Sequence, residues 1–326
     1  MVTDDTKPTD GERRPGGRRS LPNGAWRAIL IVVAGLFVAL VVWFLYSIVD
    51  QARPIFSQLG IGWIFHATWN PNKNQYGLLP FILGTIETTA IAMVLAVPIG
   101  LGTALALAYL VPPKVKAVLG SAVELLAAVP SIVYGLWGLV ALAPLWREYV
   151  EPFLSSVLGW TGLFNGSDDG VGLLLAGTIL FIMVLPTMVA ISRDVLAVVP
   201  REQVEGAMAL GATRWQVLRK VVLRDARTGL LGAFTLATGR ALGETVAVAL
   251  VIGNSDYIAH SLKAPSATLA SLIFNNFGEA SGTELAALFG AGLVLLVIGL
   301  AVNAAARALV RGRVGAAGGA TSVAVA

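Results

Sequence analysis

Long apolar runs alternate with short polar segments along this chain. Trp26–Val49, Gly77–Leu110, Val118–Leu145, Val171–Ser192, Thr228–Ile252 and Leu285–Leu309 are the apolar runs. Each is long enough to cross a hydrocarbon core about 30 Å thick, which takes about 20 helical residues. The pattern therefore predicts an all-α, polytopic membrane protein with six transmembrane helices. Gly77–Leu110 is too long for one straight span, and Pro80 and Pro98 predict a break or bend in it. Pro112-Pro113 predict its end. The first run is longer than the apolar core of a signal peptide and lacks a small-residue cleavage site, so it reads as a retained helix.

The polar segments divide the chain further. Residues 1–24 predict a disordered tail. Residues 25–76 hold the first transmembrane helix and a loop with Trp63, Trp69, Asn70, Pro71 and Tyr76. Residues 77–310 form the transmembrane core, and 311–326 a second tail. Residues 146–170 read as a loop ending in the turn-rich NGSDDG. Its acidic residues lack the full spacing of a calcium loop, so a solvated turn is the simpler reading.

The composition fits this picture: 56% of the 326 residues are hydrophobic and only 13% are charged. Soluble domains carry roughly 25%. There is no cysteine, so disulfide and thiol chemistry are excluded. The basic residues are distributed unevenly. One set of segments holds the arginines at 13, 14, 18 and 19, then Lys114 and Lys116, seven more from Arg193 to Arg227, and Arg307, Arg311 and Arg313. The opposite loops hold Arg53, Lys73, Arg147 and Lys263. Basic loops stay on the cytoplasmic side. The asymmetry predicts both termini inside, and it accounts for the net charge of +4 without nucleic acid. The basic tail could also touch anionic membrane lipid; setting topology is the plainer role.

The fifth run carries two charges. With entry at Thr228, Arg240 lies twelve residues deep. That is roughly 18 Å at 1.5 Å per residue. A charge at such depth costs about 3 kcal/mol even on the lenient insertion scale, so it implies a polar pathway or a specific partner. Glu244 follows four residues later. On a continuous helix the two share a face and offset each other's charge. A purely structural buried pair is the alternative, although such pairs add little stability. Arg offers a planar fork of donors suited to phosphate oxygens. Gly239 and Gly243 form a small-xxx-small face that would let another helix approach. In the third run, Ser131, Tyr134 and Trp137 fall along one side, where they line the same path or serve packing. Thr245 adjoins Glu244 in the run that holds the path.

Between the fourth and fifth runs lies a charged segment, Arg201–Arg227. It reads as helix, turn, helix. Glu202 and Glu205 suit the positive end of a first helix. Gly211 can close that helix and Thr213 can cap the next. Val217, Leu218, Val221 and Val222 give the second helix one apolar face. The spacing of Ala207, Gly211 and Val217 also fits a DNA-binding helix-turn-helix, but that element belongs in a separate basic domain. An interfacial helix with a structural role is the other competitor.

The residues Glu205-Gly206-Ala207, Gly211 six positions after the glutamate, and Val221-Val222-Leu223 resemble the "EAA" loop of ABC-importer permeases. In that family the loop docks into a groove of the ATPase subunit. Gly206 replaces the usual first alanine, and Arg224 stands where many members have proline. Two further stretches, Glu124–Leu139 (ELLAAVPSIVYGLWGL) and Gly239–Ala247 (GRALGETVA), resemble the PstC-type permeases of phosphate importers. The likeness extends over about residues 75–310. It implies a MetI-like ABC-importer permease fold with a cytoplasmic coupling helix in the bacterial inner membrane. It also implies a PstA-type sister permease, a PstB-type ATPase dimer that binds ATP and Mg, a PstS-type phosphate-binding protein, and inorganic phosphate as cargo. Arg240, Glu244, Thr245, Ser131 and Tyr134 then form the substrate pathway. Glu205, Gly206, Ala207 and Gly211 form the ATPase-docking segment.

No GxxxxGK[ST] loop and no nucleophile–base constellation occurs, so the chain reads as a permease subunit without a cofactor or catalysis of its own. His66 and His260 lie in different loops, which predicts no metal site. A secondary anion symporter would need a matching inverted repeat with interrupted helices. A membrane phosphate sensor is a further alternative.

Overall fold

The computed structural model describes residues 23–318. Contacts divide the chain into two units, with the boundary after Ser47. In the first, helix α1 (Asn23–Leu59) begins, and its apolar side chains from Trp26 to Tyr46 are exposed around the helix.

The second unit begins in the last turns of α1. The helix continues through Pro54 to Leu59, past the polar boundary expected near residue 50. Ala52 and Ile55 are fully buried there. The segment expected to be a polar loop is instead packed. A two-residue hairpin, β1 (Trp69–Asn70) with β2 (Gln75–Tyr76), presents Trp69 and Tyr76 edge-to-face. Trp63, Trp69, Tyr76 and Phe81 form one core with Leu269 and Leu288. Burial pushes the Tyr76 phenol up, and Glu284 adds to the shift, so it stays neutral.

Helix α2 (Leu79–Leu105) carries Pro80 at its start and Pro98 inside. It runs on through a π-helical turn, Ala106–Leu110, as one 32-residue span. The expected break is absent because Pro80 occupies the first turn, where no N–H is needed. Helix α3 (Pro113–Ala128) is followed by α4 (Ser131–Trp137), with a 91° bend between them at Val129-Pro130. The third apolar run is therefore not one straight helix. Its continuation passes through α5 (Ala143–Leu145) and α6 (Glu151–Leu158), so helix occupies much of the expected 146–170 loop.

Helix α7 (Leu173–Ala197) is the central post, packed along α2. The contact is close: a Cβ on Gly177 would lie 2.5 Å from Ile91 Cγ2, and one on Gly100 2.8 Å from Met188 Cγ. Short helices α8 (Arg201–Ala209) and α9 (Arg214–Val217) follow. A π-helical turn at Leu218–Val222 leads into α10 (Leu223–Leu242), then α11 (Val246–Val251), α12 (Leu269–Asn276) and α13 (Gly282–Gly318). Among the described residues, four helices are long and apolar enough to span a membrane, or five if the bent α3–α6 pair counts as one. The fifth expected span, Thr228–Ile252, is not continuous: it breaks at Gly243–Thr245. The N-terminal tail and the 319–326 end of the C-terminal tail lie outside the described residues.

Candidate functional site

The polar α8–α9 segment folds by local rules. Leu210 caps α8, and Gly211 follows with φ +85°, a conformation that favours glycine. Gly211 N–H donates to Met208 O at 3.0 Å, and Ala212 N–H to Ala207 O at 3.2 Å. This paired pattern closes a helix on a left-handed residue. Thr213 and Gln216 then form a reciprocal capping box that opens α9. Glu205, Gly206 and Gly211 are exposed, while Ala207 is half-buried against Ala212 and Val217. The tip presents large apolar side chains: Leu210 is 90% exposed and Trp215 65%.

The second group surrounds the break between α10 and α11. Arg240 lies in the last turn of α10 and is exposed. Gly243 ends the helix, and Glu244 and Thr245 occupy the gap; both are half-buried. Arg240 and Glu244 are thus not neighbours on one helix face, and among the described residues no ion pair joins them. Their spacing is helical, but Gly243 stops the helix between them. The charge of Arg240 is offset instead by the negative carbonyl end of α10. Among the described residues no helix packs on Gly239, and Gly243 meets only its own turn.

Ser131 and Tyr134 are brought to the same region by the bend. A Cβ on Gly135 would lie 2.8 Å from Ala247 Cα, so α4 rests directly on α11. Ser131 is half-buried. Tyr134 is 8% exposed, and its hydroxyl donates to Leu126 O at 2.8 Å across the Pro130 bend. Tyr134 therefore braces the bend rather than lining an open path, although Arg240 is within electrostatic range of it. Trp137 is exposed.

One cluster went unrecognised in the sequence. Lys263 is 1% exposed, and its ammonium donates to Ser155 Oγ at 2.9 Å, Gly166 O at 3.2 Å and Asp168 Oδ1. The buried Glu151 carboxylate accepts from Gly170 N–H at 3.1 Å. Leu262 and Ala264 carbonyls accept the Leu174 and Leu173 N–H groups, capping α7. Gly172 N–H donates to Val251 O, tying in the end of α11. The NGSDDG segment is thus pinned by a buried cation, not a plain solvated turn. The only advance signal was Lys263, the one lysine or arginine in the 253–268 loop. Glu124, unassigned from sequence, lies 3.9 Å from Arg193. Among the described residues, no group of three or more His, Asp and Glu side chains could hold a metal.

Residues 96–314 match the family of binding-protein-dependent transport system inner membrane components. The chain belongs to this family. It is 42% identical over 271 residues to the phosphate transport system permease protein PstC of Pasteurella multocida, covering 81% of this chain and 84% of that one. The PstC of Xylella fastidiosa strain Temecula1 is 41% identical over 300 residues, covering 90% and 93%. A probable PstC of Methanocaldococcus jannaschii is 39% identical, covering 84% and 88%. Solved structures share the fold. A subunit of a bacterial alginate ABC transporter aligns with TM-score 0.59 at 15% identity, over 86% of this chain and 95% of that one. A subunit of a methionine ABC transporter aligns with TM-score 0.53 at 18% identity, over 72% and 95%. The fold class expected from the sequence, an all-α membrane permease of the ABC-importer type, is the one observed. As an inner membrane component of this family, the chain is a multi-pass permease subunit.

Proposed function

We propose that this chain is the transmembrane permease subunit of an ATP-driven importer that carries inorganic phosphate into the cytoplasm. The observation that carries the reading is the sustained identity of about 40% with phosphate permeases over most of both chains. The site chemistry agrees with it. Arg240 places a permanent cation, exposed and without a carboxylate partner among the described residues, at the end of a broken helix. Such a fork pairs with the oxygens of a tetrahedral oxyanion. Thr245 lies in the gap after that helix end, Ser131 opens α4, which rests on α11, and Glu244 makes no ion pair with the arginine among the described residues. We assign the pathway to these four residues.

The partners follow from the same reading. A PstA-type sister permease would cover the exposed Gly239 and Gly243 face. A PstB-type ATPase dimer would bind ATP and Mg, and would receive the Leu210–Trp215 tip. A PstS-type protein would deliver phosphate to the opposite face. Both termini then lie in the cytoplasm, and α10–α11 completes a sixth, broken span. A broken helix would also suit a secondary symporter, but the family of this chain works with external binding proteins.

The test is reconstitution. The chain, co-expressed with the three partners, should support ATP-dependent phosphate uptake into proteoliposomes. Uptake that ignores ATP and follows an ion gradient would refute the reading.

A further inference from the structure

Helix α8 packs on α9 and on the Leu218–Val222 turn, and its Val204–Met208 face borders the end of α2. Tyr109, in the π-helical last turn of α2, stands beneath Val204 and Met208 of α8. Open space lies on both sides of that contact. One cleft of about 390 Å³ is bordered by Ala108, Lys116, Ala197, Val199 and Arg201. Another of about 270 Å³ is bordered by Leu110, Arg214, Val217 and Leu218. Tyr109, Val204 and Met208 line both. Close-packed interiors resist displacement, whereas surfaces flanked by voids lack the contacts that would hold them. On its Val204–Met208 face, helix α8 is therefore held by few contacts.

The same tyrosine reaches a second element. Its hydroxyl donates to Leu196 O at 2.9 Å, bonding the end of α2 to the last turn of α7. That carbonyl lies in the last turn of α7, where it also accepts from Val199 N–H at 3.4 Å just past the helix. Two π-helical turns, Ala106–Leu110 and Leu218–Val222, share the small apolar cluster around it. Such turns recur where helices must deform.

We infer that Tyr109 is a positioning residue for transport. A displacement of α8 passes through its ring to α2, and through its hydroxyl to α7. The inference rests on the proposed docking of the ATPase at α8–α9 and adds the element through which that docking reaches the membrane helices.

The experiment uses the full reconstituted complex and measures phosphate imported per ATP hydrolysed. Tyr109→Phe keeps the ring and deletes only the hydroxyl. It should co-purify with the ATPase at wild-type stoichiometry, yet import roughly fivefold less phosphate per ATP, the scale of one neutral hydrogen bond. Thr103→Val, which removes a different α2 hydroxyl bonded within its own helix to Ile99 O, should leave the ratio unchanged. A Tyr109→Phe complex with the wild-type ratio overturns this inference alone. A wild-type chain that retains no ATPase overturns the docking reading and this inference with it.

Discussion

At the Leu173 end of α7, the helix is held by directional polar bonds. Two loop carbonyls cap it, and a buried ammonium with three acceptors pins the neighbouring turn. At the Ala197 end, the contacts are a few apolar side chains, one tyrosine hydroxyl and a long, half-exposed ion pair from Arg193 to Glu124, beside one open cleft. The 25 residues of α7 separate the ends by about 37 Å. Polar bonds with fixed geometry define one arrangement, while sparse apolar contacts tolerate several. On the proposed docking of an ATPase at α8–α9, the loose end is the one that docking would move, and the tied end the frame against which it would move.

Substitutions at the two ends should therefore differ in kind. The largest loss of stability belongs to Lys263→Met. It removes a fully buried cation and leaves Asp168 and Glu151 without it. Removing one partner of a buried pair costs about 3 kcal/mol. The detergent-solubilised complex should unfold several degrees earlier, measured by thermal denaturation. An unchanged unfolding temperature would show that the cluster is dispensable.

Asp168→Asn should cost less, about 1.5 kcal/mol, because Ser155 and Gly166 still accept from Lys263 and Asp168 is partly solvated. The same denaturation assay should rank it between Lys263→Met and wild type.

At the other end, Gly211→Pro forces a φ near −65° where the chain needs +85°. The strain is relieved by local opening of the α8–α9 turn rather than by global unfolding. The unfolding temperature of the membrane helices should barely move, while the ATPase no longer co-purifies. Glu205→Lys, an exposed charge reversal, should leave stability unchanged and weaken only that association. Normal ATPase recovery in both variants would remove the functional half of the contrast between the two ends.

The sequence shows these two ends unequally. The loose end was legible because its rules are local. Gly211 and Thr213 stand where a helix must end and another begin, and the structure builds both caps from residues within a few positions. The tied end was hidden because its bonds are not local: Lys263 and Asp168 are 95 residues apart. Apolar runs announced most spans, yet hydropathy is blind to interruptions. The 91° bend at Pro130 looked like an ordinary proline in a span. The break at Gly243 fell inside a continuing apolar run, so Arg240 and Glu244 read as helix neighbours. Only the fold shows that the negative end of α10, rather than Glu244, offsets the arginine. The aromatic segment from Trp63 to Tyr76 looked polar because Asn70, Asn72, Lys73, Asn74 and Gln75 run together between the side chains that pack.

The central claim is that Arg240, at the end of the broken helix, carries phosphate through this chain. It is tested most directly by ATP-dependent uptake of labelled phosphate into proteoliposomes holding the Arg240→Ala complex. The account predicts a complex that assembles with its ATPase at wild-type stoichiometry and imports at least tenfold less phosphate, the scale of one lost charge-assisted contact. Wild-type uptake by that complex would contradict it.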